Sequence, residues 1–206
     1  MVQTISLLGS TGSIGRQTLD VCREQGIRVA ALTARSSLDL LEEQARAFRP
    51  RLVAVTDLEP ALELARRLAG LDIEVAYGLD GLRRAASLPE SEAVVTAVVG
   101  MAALWPTMAA IEAGKRVAFA NKETLVCAGE LVMEAARRYG AEIVPVDSEH
   151  SAIFQCLRGG RGREEIKRLI LTCSGGPFFG LSREEVAGKT KADALRHPNW
   201  SMGEKI

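Results

Sequence analysis

Short apolar runs alternate with amphipathic stretches over most of the chain. The apolar runs have the length of buried strands, which are predicted at residues 5–8, 27–32, 52–55, 73–75, 93–99, 117–119 and 143–146. Helical spacing of apolar positions predicts helices at residues 13–25, 38–48, 60–68, 107–113 and 125–139. This alternation is typical of a mostly parallel sheet flanked by crossover helices, so we predict an α/β fold.

The alternation weakens after about residue 148. A short helix is predicted at 151–157 and one more strand at 166–172, and the sequence around them is rich in loop residues. We therefore predict a domain boundary near residue 148, with one domain at 1–147 and a second part at 148–206.

Composition narrows the class of protein. Hydrophobic residues make up 47% and charged residues 25% of the chain, as in folded globular proteins. The 26 basic and 26 acidic side chains balance, so we expect no binding to nucleic acid or to anionic membranes. The start of the chain lacks the features of a signal peptide, and no apolar run reaches the ~18 residues of a membrane span. Four scattered cysteines without a Cys-x-x-Cys pair favour reduced thiols in the cytoplasm.

A glycine-rich segment, GSTGSIG at residues 9–15, joins the first predicted strand to the first predicted helix. Glycines let the backbone approach a pyrophosphate, and a helix N-terminus offers free N–H groups. This context predicts a Rossmann-like dinucleotide site that begins at Gly9, with added hydroxyls from Ser10, Thr11 and Ser13. The alternative is a tight strand–helix turn that binds nothing.

The segment after the second strand of such a fold selects between NAD and NADP. Here Arg35, Ser36 and Ser37 occupy it, and no acid occurs before Asp39. A base with two hydroxyls suits the 2′-phosphate, so we favour NADPH as the cofactor. The alternative is an exposed surface arginine.

The residues Asn121, Lys122 and Glu123 follow a predicted strand, at the end where open α/β sheets bind ligands. Lys122 is a candidate for neutralising an anionic substrate. Alternatively, Asn121 caps the next helix and Lys122 is simply solvated.

A second polar cluster, Asp147-Ser148-Glu149-His150, also follows a strand. The two carboxylates suit one hard cation such as Mg²⁺ or Mn²⁺. Alternatively, Asp147 caps a helix and Glu149 interacts with the helix dipole. His150 is either a base or metal ligand, or a residue on a helix surface.

Two predicted loops near the end of the chain contain side chains that are unusual in loops without a function. The glycine-rich turn around Ser174 has a hydroxyl and amides that suit a phosphate. Residues 197–203, HPNWSMG, combine an imidazole, an indole and a thioether, which favours a lid that closes over a substrate. Alternatively, these side chains pack against a further part of the protein that follows in the sequence.

Five segments, taken together and in order, resemble the 1-deoxy-D-xylulose 5-phosphate reductoisomerase family. They are GSTGSIG at 9–15, FANKETLV at 119–126, PVDSEHSAIFQCL at 145–157, LTCSGGPF at 171–178 and HPNWSMGEKI at 197–206. The resemblance implies an NADPH-dependent oxidoreductase of isoprenoid biosynthesis that requires Mg²⁺ or Mn²⁺. Such an enzyme isomerises its sugar phosphate substrate and reduces the product to 2-C-methyl-D-erythritol 4-phosphate. The resemblance also implies that the full-length protein is a homodimer.

The resemblance assigns roles to residues by motif match. It implies that NADPH is bound by Thr11, Gly12, Ser13, Ile14, Asn121, Glu123 and Gly203. It implies that substrate is bound by Lys122, Ser148, Glu149, Ser174 and His197, with Trp200 and Met202 on the covering loop. By the same match, Asp147 and Glu149 would ligate the metal. The catalytic residues would be Lys122, Asp147, Glu149 and His197. Residues 148–206 would then begin an α+β catalytic domain.

The chain departs from the family pattern in two places. Arg35, Ser36 and Ser37 differ from the family's usual residues after the second strand. The chain also ends at Ile206, before the family segment that supplies further phosphate ligands and a third metal-binding glutamate. We therefore expect an N-terminal portion with a complete cofactor site and an incomplete catalytic site. The rival interpretations are another NADP-dependent dehydrogenase, such as one acting on a semialdehyde, and a non-catalytic nucleotide-binding module.

Overall fold

A computed structural model of the chain describes residues 2–160, 162–172, 175–196 and 198. The chain divides into two compact units, Met1–Gly159 and Gly160–Ile206. This division by compactness falls after the helix that follows Asp147, whereas the sequence predicts a boundary near residue 148.

A parallel sheet forms the centre of the first unit. Its seven strands are β1 (Thr4–Leu8), β2 (Arg28–Ala34), β3 (Leu52–Val55), β4 (Glu74–Tyr77), β5 (Ala93–Thr96), β6 (Arg116–Phe119) and β7 (Ile143–Pro145). They lie in the order β4-β3-β2-β1-β5-β6-β7, and every neighbouring pair is parallel. The predicted α/β class with a parallel sheet is therefore confirmed.

Helices cover both faces of the sheet. They are α1 (Ser13–Gln25), α2 (Leu38–Phe48), α3 (Leu58–Arg67), α4 (Gly78–Ser87), α5 (Leu104–Glu112), α6 (Lys122–Tyr139) and α7 (Ser148–Arg158). One apolar core lies between the sheet and α1, α2 and α3, and a second lies between the opposite face and α4, α5 and α6. Because both faces are covered, the strands are apolar on both sides, which explains their nearly continuous hydrophobic sequences.

Helix α4 is absent from the sequence-based prediction. Its glycines, Gly78 and Gly81, weaken the helical signal because glycine disfavours helix. The structure gives the reason for Gly81. A Cβ at this position would lie 3.1 Å from the Cβ of Ala76 and 3.5 Å from that of Ala54, so the absence of a side chain lets α4 pack closely on the sheet.

The prediction of a strand at residues 166–172 is wrong, since this segment forms no strand in the structure. A strand requires a neighbour for its backbone hydrogen bonds, and the described residues of the second unit include none. Its side chains are exposed, with Leu171 at 70%. The regular elements described in this unit are a 3₁₀ turn at Arg163–Glu165 and the helices α8 (Arg183–Ala187) and α9 (Lys191–Leu195).

Capping boxes begin both short helices of the second unit. Ser182 and Glu185 exchange hydrogen bonds at the start of α8, and Thr190 and Asp193 do so at the start of α9. Each box satisfies two backbone N–H groups, which lets helices of five residues form.

Strand β7 lies at one edge of the described sheet and ends at Pro145. The carbonyl of Glu142 accepts from the N–H of Val117, and the N–H of Val146 donates to Phe119, so these positions face β6. Because backbone groups alternate along a strand, Pro145 faces the open edge. Among the described residues, none of the helices combines the length and apolar character that a membrane crossing requires.

We predict that Gly15→Ala lowers the free energy of unfolding by about 1–3 kcal/mol, the usual cost of an overpacked methyl group. The added Cβ would lie 2.2 Å from the carbonyl oxygen of Gly9 and 2.6 Å from the backbone of Ser10. Urea unfolding followed by circular dichroism measures this loss. Gly12→Ala is the control, because its Cβ would meet Gly9 at an ordinary 3.5 Å. Equal unfolding midpoints for the two variants would contradict the prediction.

Candidate functional site

The candidate site lies along the carboxyl ends of the parallel strands. Strand β1 is at the centre, with β2 on one side and β5 on the other, and the direction of strand succession reverses here. Such a switch point is where open α/β sheets form their ligand crevice. The segments that follow β2, β1, β6 and β7 are among those that the sequence predicts to be functional.

The glycine loop is held closely to its neighbours. The N–H groups of Gly9 and Ser10 donate to the carbonyl of Thr33 at 3.1 and 2.8 Å. Gly9 has a φ of +84°, and a Cβ there would lie 2.7 Å from the carbonyl oxygen of Ala97 after β5. Helix α1 begins directly after Gly12, which has no side chain to cap its first turn. The first N–H groups of α1 are therefore left for a ligand.

Exposure separates the residues of this loop. Gly12, Ser13 and Ile14 are exposed and Thr11 is half-buried, as residues that meet a cofactor must be. Ser10 is fully buried instead, and its hydroxyl donates to Gln44 Oε1 at 2.7 Å, with the carbonyl oxygen of Thr33 3.3 Å away. The prediction that Ser10 offers a hydroxyl to the ligand is therefore wrong, because its one proton is used inside the fold.

The segment Arg35–Ser36–Ser37 lies between β2 and α2, and its side chains are exposed. The Thr56 hydroxyl donates to Asp57 Oδ2 at 2.6 Å and lies 3.3 Å from the carbonyl oxygen of Arg35, so the segment lies beside the end of β3. Ser37 is the N-cap residue of α2, but its side chain makes no capping hydrogen bond. The guanidinium and both hydroxyls therefore face solvent beside the glycine loop.

The loop after β5 belongs to this edge, although the sequence analysis did not select it. Strand β5 ends at Thr96, three residues before the predicted end, and Val99 and Met101 follow as exposed apolar side chains. Val99 is 71% exposed. The sequence predicts one strand over the whole apolar run from 93 to 99, because a buried strand and an exposed apolar loop have the same composition. The loop could therefore not be distinguished from the strand.

Asn121 is 1% exposed and works as a structural bridge. Its Oδ1 accepts from the backbone N–H of Thr124 at 3.0 Å and from that residue's hydroxyl, which caps α6. Its Nδ2 donates to the carbonyls of Val98 at 2.6 Å and Gly100 at 3.0 Å. Both amide protons are used, so a contact between Asn121 and a cofactor would have to involve its backbone.

Asp147 is the centre of a charged cluster after β7. Its Oδ2 lies 2.5 Å from Lys122 Nζ, and its Oδ1 lies 2.9 Å from His150 Nδ1. Partial burial favours a higher pKa for Asp147, but hydrogen bonds with Lys122, His150 and Glu149 outweigh it and lower the pKa to about 2. The hydrogen bond to Asp147 raises the pKa of Lys122, with further contributions from Glu149 and Glu123.

The same cluster distinguishes between the two interpretations of Asp147. This residue occupies the N-cap position of α7, yet its side chain makes no capping hydrogen bond. Both carboxylate oxygens are directed to cationic or protonatable partners, Lys122 and His150. The carboxylate is therefore ionised and partly exposed, and its side chain does not cap the helix.

The donor set fits a hard divalent cation. Asp147 and Glu149 are within hydrogen-bonding reach of each other, and both are half-buried. The described residues include no group of three or more His, Cys, Asp or Glu side chains able to hold a metal. Two carboxylates nevertheless suit Mg²⁺, which keeps several waters and binds with the help of its substrate.

The remaining predicted residues divide into two groups. Ser148 is exposed at the first position of α7, and Glu123 is half-buried in the first turn of α6. The others lie outside the described residues; they are Ser174, His197, Trp200, Met202 and Gly203. The structure therefore brings together the residues predicted around β1, β2, β6 and β7.

Family models match both parts of the chain. The model described as 1-deoxy-D-xylulose 5-phosphate reductoisomerase matches residues 5–129. The model described as the C-terminal domain of the same enzyme matches residues 143–206.

Two curated relatives carry the same name. The chain is 53% identical to that of Ruminiclostridium cellulolyticum and 54% identical to that of Agathobacter rectalis. Each alignment covers 100% of this chain and 54% of the relative. The chain thus spans about half the length of these relatives.

Solved structures give the same result. The reductoisomerase of Zymomonas mobilis in complex with NADPH has a TM-score of 0.89 and 41% identity, over 96% of this chain and 52% of that one. A DOX-P reductoisomerase in complex with NADPH, fosmidomycin and magnesium has a TM-score of 0.87 and 40% identity; the match covers 98% of this chain and 52% of that chain. Since the first family model alone matches more than half of the chain, the protein belongs to the 1-deoxy-D-xylulose 5-phosphate reductoisomerase family.

Proposed function

We propose that this chain is the N-terminal portion of an enzyme that converts 1-deoxy-D-xylulose 5-phosphate to 2-C-methyl-D-erythritol 4-phosphate with NADPH and a divalent cation. The observation that carries the proposal is that the Asp147 cluster lies on the same sheet edge as an open glycine loop. NADPH bound at the glycine loop would supply hydride, and the carboxylates of the Asp147 cluster would hold the cation that orients a sugar phosphate. Their presence on one edge matches a reaction that needs both.

The strand order supports an arrangement of NADPH along the edge. Arg35 and the two following serines would meet the 2′-phosphate, and the residues from Thr11 to Ile14 would meet the pyrophosphate. The exposed side chains of Val99 and Met101 would then flank the nicotinamide, because the loop after β5 lies between the glycine loop and the start of α6.

Asp147 and Glu149 would hold the cation, which would supply Lewis acidity toward the substrate's oxygens. The other residues bind and orient. Lys122 carries a stabilised positive charge for an anionic substrate, and its ammonium would move from Asp147 toward that substrate. Ser148, together with Ser174 and His197 beyond the described residues, would contact the substrate, and Trp200 and Met202 would cover it.

We further propose a homodimer at full length and a cytoplasmic location. The cysteines described in the structure, Cys22, Cys127 and Cys156, are free thiols, which suits a reducing compartment. The functional boundary after residue 147 is part of this proposal, since most of the cofactor residues precede it and most of the substrate residues follow it.

We predict that turnover requires the chain to be extended to the length of its relatives. NADPH consumption, followed by its absorbance, is measured with 1-deoxy-D-xylulose 5-phosphate and Mn²⁺ for the 206-residue chain and for the extended chain. Only the extended chain should consume NADPH, and only with the metal present. Metal-independent turnover would indicate a different dehydrogenase. NADPH binding without turnover in the extended chain would indicate a non-catalytic module.

We predict that Arg35→Ala weakens NADPH binding about tenfold, the cost of losing a charged hydrogen bond. Binding of NADH, which lacks the 2′-phosphate, should not change. Nicotinamide fluorescence during titration measures both affinities. Arg28→Ala is the matched control, because Arg28 is an exposed arginine at the opposite end of β2. An equal loss for both dinucleotides would contradict the role of Arg35 in selecting NADPH.

We predict that Asp147→Asn lowers the affinity for Mn²⁺ at least about tenfold, since it removes one of two anionic ligands. Electron paramagnetic resonance of free Mn²⁺ measures binding without any need for turnover. Asp20→Asn is the control, because Asp20 is an exposed carboxylate in α1 that pairs with Arg23. Unchanged Mn²⁺ affinity in the Asp147 variant would exclude this residue as a ligand.

A further inference from the structure

Gln44 is a buried amide that the proposed chemistry does not use. It lies in the middle of α2 and is 6% exposed, although glutamine is usually a surface residue. Burial of an amide is costly unless its polar atoms are hydrogen-bonded. The partners of Gln44 therefore indicate why it is there.

Those partners belong to the glycine loop. The hydroxyl of Ser10 donates to Gln44 Oε1 at 2.7 Å, and Gln44 Nε2 donates to the carbonyl of Ser10 at 3.0 Å. One side chain thus holds both the side chain and the backbone of a single loop residue. The hydrogen bonds join positions that are 34 residues apart in the sequence.

The loop is constrained from two other directions. Thr33 at the end of β2 accepts from the N–H groups of Gly9 and Ser10, and its hydroxyl accepts a further bond from Gly9 at 3.0 Å. The backbone of Gly15 in α1 packs against the carbonyl of Gly9. Gln44 adds the constraint from α2. With Ser10 fixed, the next residues in the chain, Thr11 and Gly12, face outward.

Helix α2 also begins at the segment proposed to meet the 2′-phosphate. Ser37 is its N-cap residue, and Gln44 lies two turns further along. Gln44 therefore connects the pyrophosphate loop to the helix that carries the adenosine side of the site.

We propose that Gln44 is a positioning residue of the cofactor site, which holds Ser10 so that the following loop residues present their N–H groups to the pyrophosphate. This inference rests on the proposed binding of NADPH. Gln44 itself does not contact the cofactor. Its effect is transmitted through Ser10, and it should be specific to the part of the ligand that the glycine loop binds.

The test compares two ligands on the 206-residue chain. Gln44→Leu should raise the Kd for NADPH about tenfold, the effect expected when a pair of buried hydrogen bonds is lost. The Kd for adenosine 2′-monophosphate, which has no pyrophosphate, should stay the same. Fluorescence titration measures the first and nuclear magnetic resonance titration the second. Gln25→Leu, at the exposed end of α1, is the matched control.

An isosteric variant keeps the test valid if Gln44→Leu folds poorly. In Gln44→Glu, the ionised carboxylate has no proton to donate to the carbonyl of Ser10, so this hydrogen bond is lost. The protonated carboxylic acid can donate, so it restores the hydrogen bond. The ratio of its NADPH Kd to that of the wild-type chain should therefore fall as the pH is lowered, since burial raises the pKa of such a carboxyl.

The outcomes separate the inference from the function on which it rests. If the wild-type chain does not bind NADPH, both fail. If it binds NADPH and Gln44→Leu binds equally well, only the role of Gln44 fails. Equal weakening for both ligands would show a general structural effect and would also overturn the inference. Selective loss of NADPH affinity, with pH-dependent recovery in Gln44→Glu, supports it.

Discussion

The close approach of two backbones, that of Gly9 at the end of β1 and that of Gly15 in α1, is the constraint on which the site depends. No side chain fits between them, since even a methyl group on Gly15 would overlap the Gly9 carbonyl. This approach brings the uncapped first turn of α1 to the sheet edge. It also turns Ser10 inward toward Gln44, and the loop after β5 then packs against Gly9 on its other side.

The strand order turns a scattered set of residues into a linear site. Neighbouring strands are about 4.8 Å apart, so the four steps from β2 to β7 span roughly 19 Å. Along this distance the character of the edge changes from basic, at Arg35, through the uncharged loops after β1 and β5, to the charged cluster at Asp147. A ligand with a phosphate at one end and a reacting group at the other is accommodated by this gradient.

Most elements of the first unit could be predicted from sequence because each has a strong local pattern. Helices α1 and α2 and strand β3 begin and end at the predicted residues. Helix α4 was missed because Gly81 serves tertiary packing against the sheet, which no local pattern reveals. The candidate site residues could be located, but not their orientation. That Asn121 faces inward while Asp147 faces Lys122 depends on partners more than twenty residues away in the chain.

The proline that ends β7 determines how the sheet can grow. Pro145 occupies an outward-facing position but has no N–H to donate, so Ile143 is the one residue of this strand with a donor toward the open edge. A further strand added here would lack the regular ladder of hydrogen bonds that such an addition requires. Association between copies of this chain by continuation of the sheet past β7 is therefore disfavoured.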